Sequence, residues 1–134
     1  MRTNYKLPEE WFSQADYDLG TAKAMLDTGR YIYTVFMCHL TIEKALKGIY
    51  AKKLKENPPK THNLNYICEE MGFEIPGKFQ DFVDNLNNLS IPTRYPDKLS
   101  LLLADFKKDL TEEYLIKQEN YSNGSKNQSS KHPA

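Results

Sequence analysis

The sequence predicts an all-α protein: an antiparallel four-helix bundle with one additional short helix, ending in a disordered polar C-terminal tail. Three observations predict it. Apolar residues recur at three- and four-residue steps in every long segment, no segment alternates with the period of two that a half-buried strand requires, and Gly or Pro separates the segments. One stretch, Val35 to Leu54, goes further: Val35, Cys38, Ile42, Ala45, Leu46 and Ile49 fill one arc of a helix, and Phe36, Leu40, Tyr50 and Leu54 fill another. A helix apolar on two arcs must be covered on two sides, so the other helices are expected to gather around it.

Taken in order, the first helix is expected from about Pro8 to Asp27. Proline tolerates the first helical position, and Glu9 and Glu10 favour the positive end of the helix dipole. Trp11, Ala15, Leu19, Ala22 and Leu26 form its apolar face, and Gly29 is its stop. Helix two follows from Arg30 to Lys55, and so short a connection requires the two to run antiparallel. Asn57, Pro58 and Pro59 end it. Thr61 or Asn63 can cap a short helix from about Leu64 to Met71, closed by Gly72. Pro76 opens another helix, in which Phe79, Phe82, Val83, Leu86 and Leu89 keep the period, and a loop is expected from Ser90 to Asp97. The last helix is expected from about Asp97 to Lys117. Residues 1–119 thus make one bundle domain, and residues 120–134 have almost nothing to bury.

Bulk properties exclude several classes. The 18 basic and 18 acidic residues cancel, so no global basic surface drives nonspecific nucleic-acid binding, and any RNA or nucleotide site must be local. Cys38 and Cys68 show no CxxC or Cys/His spacing and read as reduced, buried thiols of a cytoplasmic protein. His39, His62 and His132 are scattered, offering no metal constellation, and no cofactor is expected. No apolar run reaches membrane-spanning length, and the N-terminal residues contain no secretory signal.

Five motifs, in their order and spacing, resemble the small prokaryotic HEPN-domain proteins: ADYDLGTAKAML on helix one, Gly29-Arg30-Tyr31 at the first turn, CHLTIEKALKGIY on helix two, PPKTHNL after it, and IPTRYPD before the last helix. The resemblance spans about Trp11 to Leu115. It implies a dimerising helical bundle, often encoded beside a small nucleotidyltransferase as a toxin-antitoxin pair, with some members acting as metal-independent ribonucleases and others binding nucleotides. The family's ribonuclease motif is an Arg followed after four to six residues by His. Arg94 matches the first half, but Leu99, Ser100 and Leu101 stand where the His belongs, and none of them transfers a proton near neutral pH as imidazole does. Ribonuclease activity through that motif is therefore not expected, and no catalytic residue is assigned.

The expected site is a nucleotide or RNA phosphate site made of Arg94, Glu43, Lys47, Lys44 and Asp97. A guanidinium can grip phosphate in two-pronged geometry. Glu43, on a nearly all-apolar helix, needs a partner, for which Lys47 and Arg94 are the candidates. His39, Asp18, His62 and Tyr95 are further candidates. His39 lies one turn before Glu43, Asp18 can reach helix two or point to solvent, and His62 can cap the end of helix two. Tyr17, Tyr31, Tyr33 and Tyr50 can stack a base or pack the bundle. The leading expectation is a homodimeric binding protein without ribonuclease activity. The alternatives are a ribonuclease toxin drawing its imidazole from His39 or His62, and a pure interaction module for a nucleotidyltransferase partner.

Overall fold

The computed structural model describes residues 4–94, with Arg94 given by its backbone. Four helices follow one another: α1 (Pro8–Asp27), α2 (Tyr31–Leu54), α3 (Leu64–Met71) and α4 (Gly77–Arg94), and no strand occurs among the described residues. The predicted last helix, the tail at 120–134, and Tyr95 and Asp97 lie outside the described residues.

Local chemistry sets most of these boundaries. Pro8 stands at the start of α1, where its missing N–H is not needed, with Glu9 and Glu10 in the first turn. At the other end Gly29 takes φ 76°, and the Gly29 and Arg30 N–H groups donate back to Leu26 O (3.1 Å) and Met25 O (2.8 Å). Those two bonds are the Schellman closure, which satisfies carbonyls that the helix leaves free. Gly72 (φ 65°) closes α3 the same way: its own N–H reaches Glu69 O at 3.2 Å and the Phe73 N–H reaches Cys68 O at 2.9 Å. Of the two cap candidates, Asn63 caps α3 by accepting from the Tyr66 N–H at 3.2 Å.

The core is built on α2, which contacts α1, α3 and α4. Ile42, Leu46, Ile49 and Val35 of α2 are at most 1% exposed and join Leu64 and Ile67 of α3 and Val83 and Leu86 of α4 in one apolar cluster. Each such side chain contributes about 1.5–3 kcal/mol on leaving water. Burial continues around almost the full circumference of α2, taking in His39, Thr41, Glu43 and Lys47 along with the apolar positions. In α1 the buried residues are Ala15, Asp18 and Ala22, the pattern of a helix lying on one side of the core.

At Gly48 the backbone of α2 lies directly against the Phe12 ring of α1. A Cβ placed there would stand 2.5 Å from Cε1 and 2.8 Å from Cδ1 of the Phe12 ring. Alanine gains about 1 kcal/mol over glycine in a helix, whereas forcing an atom into a packed ring costs about 1–3 kcal/mol. Gly48→Ala is therefore expected to lower stability by about 1 kcal/mol in urea denaturation, and to raise it when Phe12 is also alanine. A stabilised single variant would show that the ring moves aside freely.

One boundary departs from the sequence expectation. Ser90 to Arg94, expected as the start of a loop, continue α4 with Pro92 inside the helix. Proline ordinarily ends a helix because it lacks an N–H and crowds the carbonyl four residues back. Here the chain remains helical for its last turn, where Thr93 is 1% exposed and its hydroxyl donates to Leu89 O at 2.6 Å. Burial of Thr93 and that added hydrogen bond offset the local preference, an override that residue type alone does not signal.

Candidate functional site

Glu43 is the centre of the polar network. Its side chain is 5% exposed, and it stands among apolar residues halfway along α2. An unpaired carboxylate in such a place would be prohibitively costly, and both of its oxygens are engaged. Lys47, one turn further along α2, donates from Nζ to Oε2 at 3.1 Å. His62, in the loop before α3, sits with Nδ1 2.8 Å from Oε1. An ionised carboxylate only accepts hydrogen bonds, so the hydrogen on the His62 ring is at Nδ1.

The loop that delivers His62 is fixed a second time by His39. His39 is 1% exposed, and its Nε2 donates to the His62 backbone carbonyl at 3.0 Å. A carbonyl cannot donate, so this contact sets the hydrogen on Nε2 of His39. Its Nδ1 lies 3.8 Å from Glu43 Oε1, beyond hydrogen-bond reach. The two imidazoles therefore differ in kind. His39 is an internal anchor, while the His62 side chain is 58% exposed with Nε2 as its remaining ring nitrogen.

Lys47 has a further neighbour. Its Nζ is 5.7 Å from the Trp11 ring centroid, and Lys6 Nζ lies 4.2 Å from the same ring. Two ammonium groups thus border one indole next to the Glu43 network, an electropositive flank of the kind favoured by the ring quadrupole. The N-terminal segment carrying Lys6 is tied to the end of α2, with the Lys6 N–H donating to Asn57 Oδ1 (3.1 Å) and Asn57 Nδ2 donating to Asn4 O (3.2 Å).

The other expected site residues separate from this cluster. Asp18, for which exposure on the polar side was one reading, is 6% exposed and pairs with Lys44 Nζ at 2.8 Å. This ion pair ties α1 to α2 and directs Lys44 at α1. His62, expected as a local cap on the end of helix two, instead reaches the middle of α2. Arg94 is the last residue of α4 and not a loop residue, and its side chain, like Tyr95 and Asp97, lies outside the described residues. Among the tyrosines, Tyr50 is buried with its hydroxyl donating to Glu56 Oε1 at 3.2 Å, which removes it as a stacking platform. Tyr17 and Tyr33 are exposed.

A separate open cavity of about 550 Å³ lies between α3 and α4, lined by Cys68, Glu69, Phe73, Glu74, Asp84 and their neighbours. Burial, reinforced by Glu69, pushes the Cys68 thiol up to about 12, so it is a protonated, unreactive thiol near neutral pH. Among the described residues no group of three or more His, Cys, Asp or Glu side chains is arranged to hold a metal ion, and no described helix is long and apolar enough to cross a membrane.

Sequence reasoning singled out Glu43, Lys47 and His62 but missed their union; it placed Trp11 only on the apolar face of the first helix and did not single out Lys6. Glu43 and His62 are separated by a loop, and no helical period spans such a gap. The histidine in PPKTHNL was the available signal.

Comparison with known proteins agrees with this architecture. A search of curated proteins finds no match. Among solved structures, the fold is shared with TT1696 from Thermus thermophilus, at TM-score 0.77 and 22% identity, with 90% of this chain and 96% of that one covered. It is shared equally with ST0689, an archaeal HEPN homologue, at TM-score 0.75 and 23% identity, covering 92% of this chain and 98% of that one. At such identities these likenesses speak to the fold alone. The sequence model of the HEPN domain matches residues 8–120, and on that match, over most of its length, the chain belongs to the HEPN domain family.

Proposed function

We propose that this HEPN chain is a cytoplasmic, homodimeric bundle that binds the phosphate of a nucleotide or RNA, and that it acts beside a nucleotidyltransferase in a toxin-antitoxin-type pair. The phosphate-binding group is Arg94, with Lys47 and Asp97 contributing to the charge around it and Glu43 ordering the network, while Lys44 stays with Asp18. The observation that carries this reading is the Glu43 carboxylate, 4% exposed and held by both Lys47 and His62. A core helix that spends its interior on a charged network leading out to an exposed imidazole has built a polar site into its most buried element. Lys6 and Lys47 beside Trp11 add positive charge and an aromatic face, the two components by which proteins hold single-stranded nucleic acid.

The test is titration calorimetry of ATP, GTP and a short single-stranded RNA against wild type and Arg94→Ala. The expected result is binding of at least one ligand by wild type and a loss of about tenfold or more in the variant, or about 1.4 kcal/mol. Equal affinity in the two proteins, or no binding by either, removes the site.

A further inference from the structure

We infer that the Trp11 indole is the platform on which the ligand stacks its nucleobase, and that Lys6, carried on the N-terminal strap of residues 4–7, covers this platform until a base displaces it. The inference rests on the proposed phosphate-binding function and deepens it: the ligand is a nucleobase joined to a phosphate, whether a free nucleotide or a strand of RNA.

The indole is not placed as an ordinary core residue. It is half-buried near the start of α1, its Nε1 is shielded from water, and that N–H finds no hydrogen-bond acceptor among the described residues. A buried tryptophan usually satisfies its N–H, and an unmet donor costs stability. A phenylalanine would fill the same place without that cost. What the indole offers over a phenyl ring is its π face, the strongest of the aromatic faces for a cation and broad enough for a base.

Two ammonium groups use this ring, and they are held differently. Lys47 Nζ, 5.7 Å from the ring centroid, is tied to Glu43 Oε2 at 3.1 Å. Lys6 Nζ lies closer, at 4.2 Å, but belongs to an exposed residue on a strap without regular secondary structure. The strap is moored by exposed Asn57, which accepts from the Lys6 N–H at 3.1 Å and donates to the Asn4 carbonyl at 3.2 Å. An exposed cation–π contact gains about as much as a lysine side chain gives up in conformational freedom to make it, so this cover is weakly held. A stacked base gains more and takes its place. The displaced ammonium then stands beside the phosphate of the same nucleotide, where opposite charge holds it. Lys47 keeps its place in both states.

The test uses the full chain. Trp11 is the only tryptophan, so its fluorescence reports this ring alone. In the free protein, Lys6→Ala and Asn57→Ala are expected to raise the quenching of Trp11 by the neutral quencher acrylamide. ATP or a short single-stranded RNA is expected to quench the wild-type fluorescence directly. By calorimetry, Trp11→Leu is expected to bind at least about tenfold more weakly, the loss of one base–aromatic stack, while Trp11→Phe keeps most of the affinity. Asn57→Ala is expected to bind about two- to fivefold more tightly, which is what release of an exposed cation–π contact returns. Lys6→Ala is expected to flatten the slope of log affinity for RNA against log salt by about 0.7, the value for one phosphate contact on a single strand. Circular dichroism establishes that each variant is folded. Quenching by either ligand supports the platform, and which of the two quenches tells a free nucleotide from a strand. Ligand binding with unmoved Trp11 fluorescence and full affinity in Trp11→Leu overturns the platform while leaving the proposed function in place. Acrylamide quenching unchanged in both Lys6→Ala and Asn57→Ala overturns the cover, and absence of binding by wild type defeats the inference and the proposed function together.

Discussion

Glu43→Leu is expected to lower the unfolding free energy by about 3–5 kcal/mol, the range for breaking a buried ion pair by removing one partner. The cost arises less from the attraction lost than from what remains. Leucine fills much of the same volume, but the Lys47 ammonium, on a side chain only 9% exposed, is left without its 3.1 Å countercharge. His62 loses its 2.8 Å acceptor, and with it the side-chain bond that ties His62 to α2. Urea denaturation of wild type, Glu43→Leu, Lys47→Met and the double variant resolves the contributions. The double variant is expected to be more stable than Glu43→Leu alone, because it exchanges a stranded charge for apolar contact. Additive losses in the double variant would show that the two side chains do not depend on one another.

Leu46→Ala is expected to cost about 2–5 kcal/mol, through lost burial and the cavity left behind. Leu46 is 0% exposed on the helix that every other described helix contacts, so no single neighbour can relax into the space without disturbing another packing face. Ile49→Val, one turn along the same buried face, removes only a methylene and should cost about 0.5–1.5 kcal/mol. Both values follow from denaturant midpoints, and an unchanged denaturant slope is expected because neither variant alters the surface exposed on unfolding. A Leu46→Ala loss below the Ile49→Val loss would show that α2 is less enclosed than its exposure indicates.

Much of the architecture was legible in the chain because the signals for it are local. The apolar period of α1 lies within Pro8–Asp27, and the glycines at 29 and 72 are written into the sequence at the positions where the backbone turns left-handed. The two-sided apolar pattern of Val35 to Leu54 announced a central helix, and α2 is that helix. Pro92 shows where local rules fail. Its type argues for a break, yet α4 runs through it, because the burial of Thr93 is settled by contacts outside the segment.

The candidate site was legible as a set of residues and not as an arrangement. Glu43 and Lys47 share a helical stripe, so their contact could be anticipated from spacing. The pairing of Glu43 with His62 depends on how the loop from Lys55 to Asn63 folds back, and its determinants include the buried His39 anchor one turn before Glu43 on α2. Asp18 was equally undecided: one face of α1 could carry it toward solvent or toward Lys44, and packing against α2 chose the latter.

By itself, then, the sequence determined α1 to α3 and the start of α4, the glycine stops at 29 and 72, the apolar stripe of the core and the need of a buried carboxylate for a partner. Those properties follow from periodicity and side-chain type over a few turns. Only the tertiary structure decided which histidine faces solvent, which partner Glu43 takes and which side of α1 buries a charge. Those choices depend on distances between segments remote in the chain, set by the cooperative packing of all the helices at once.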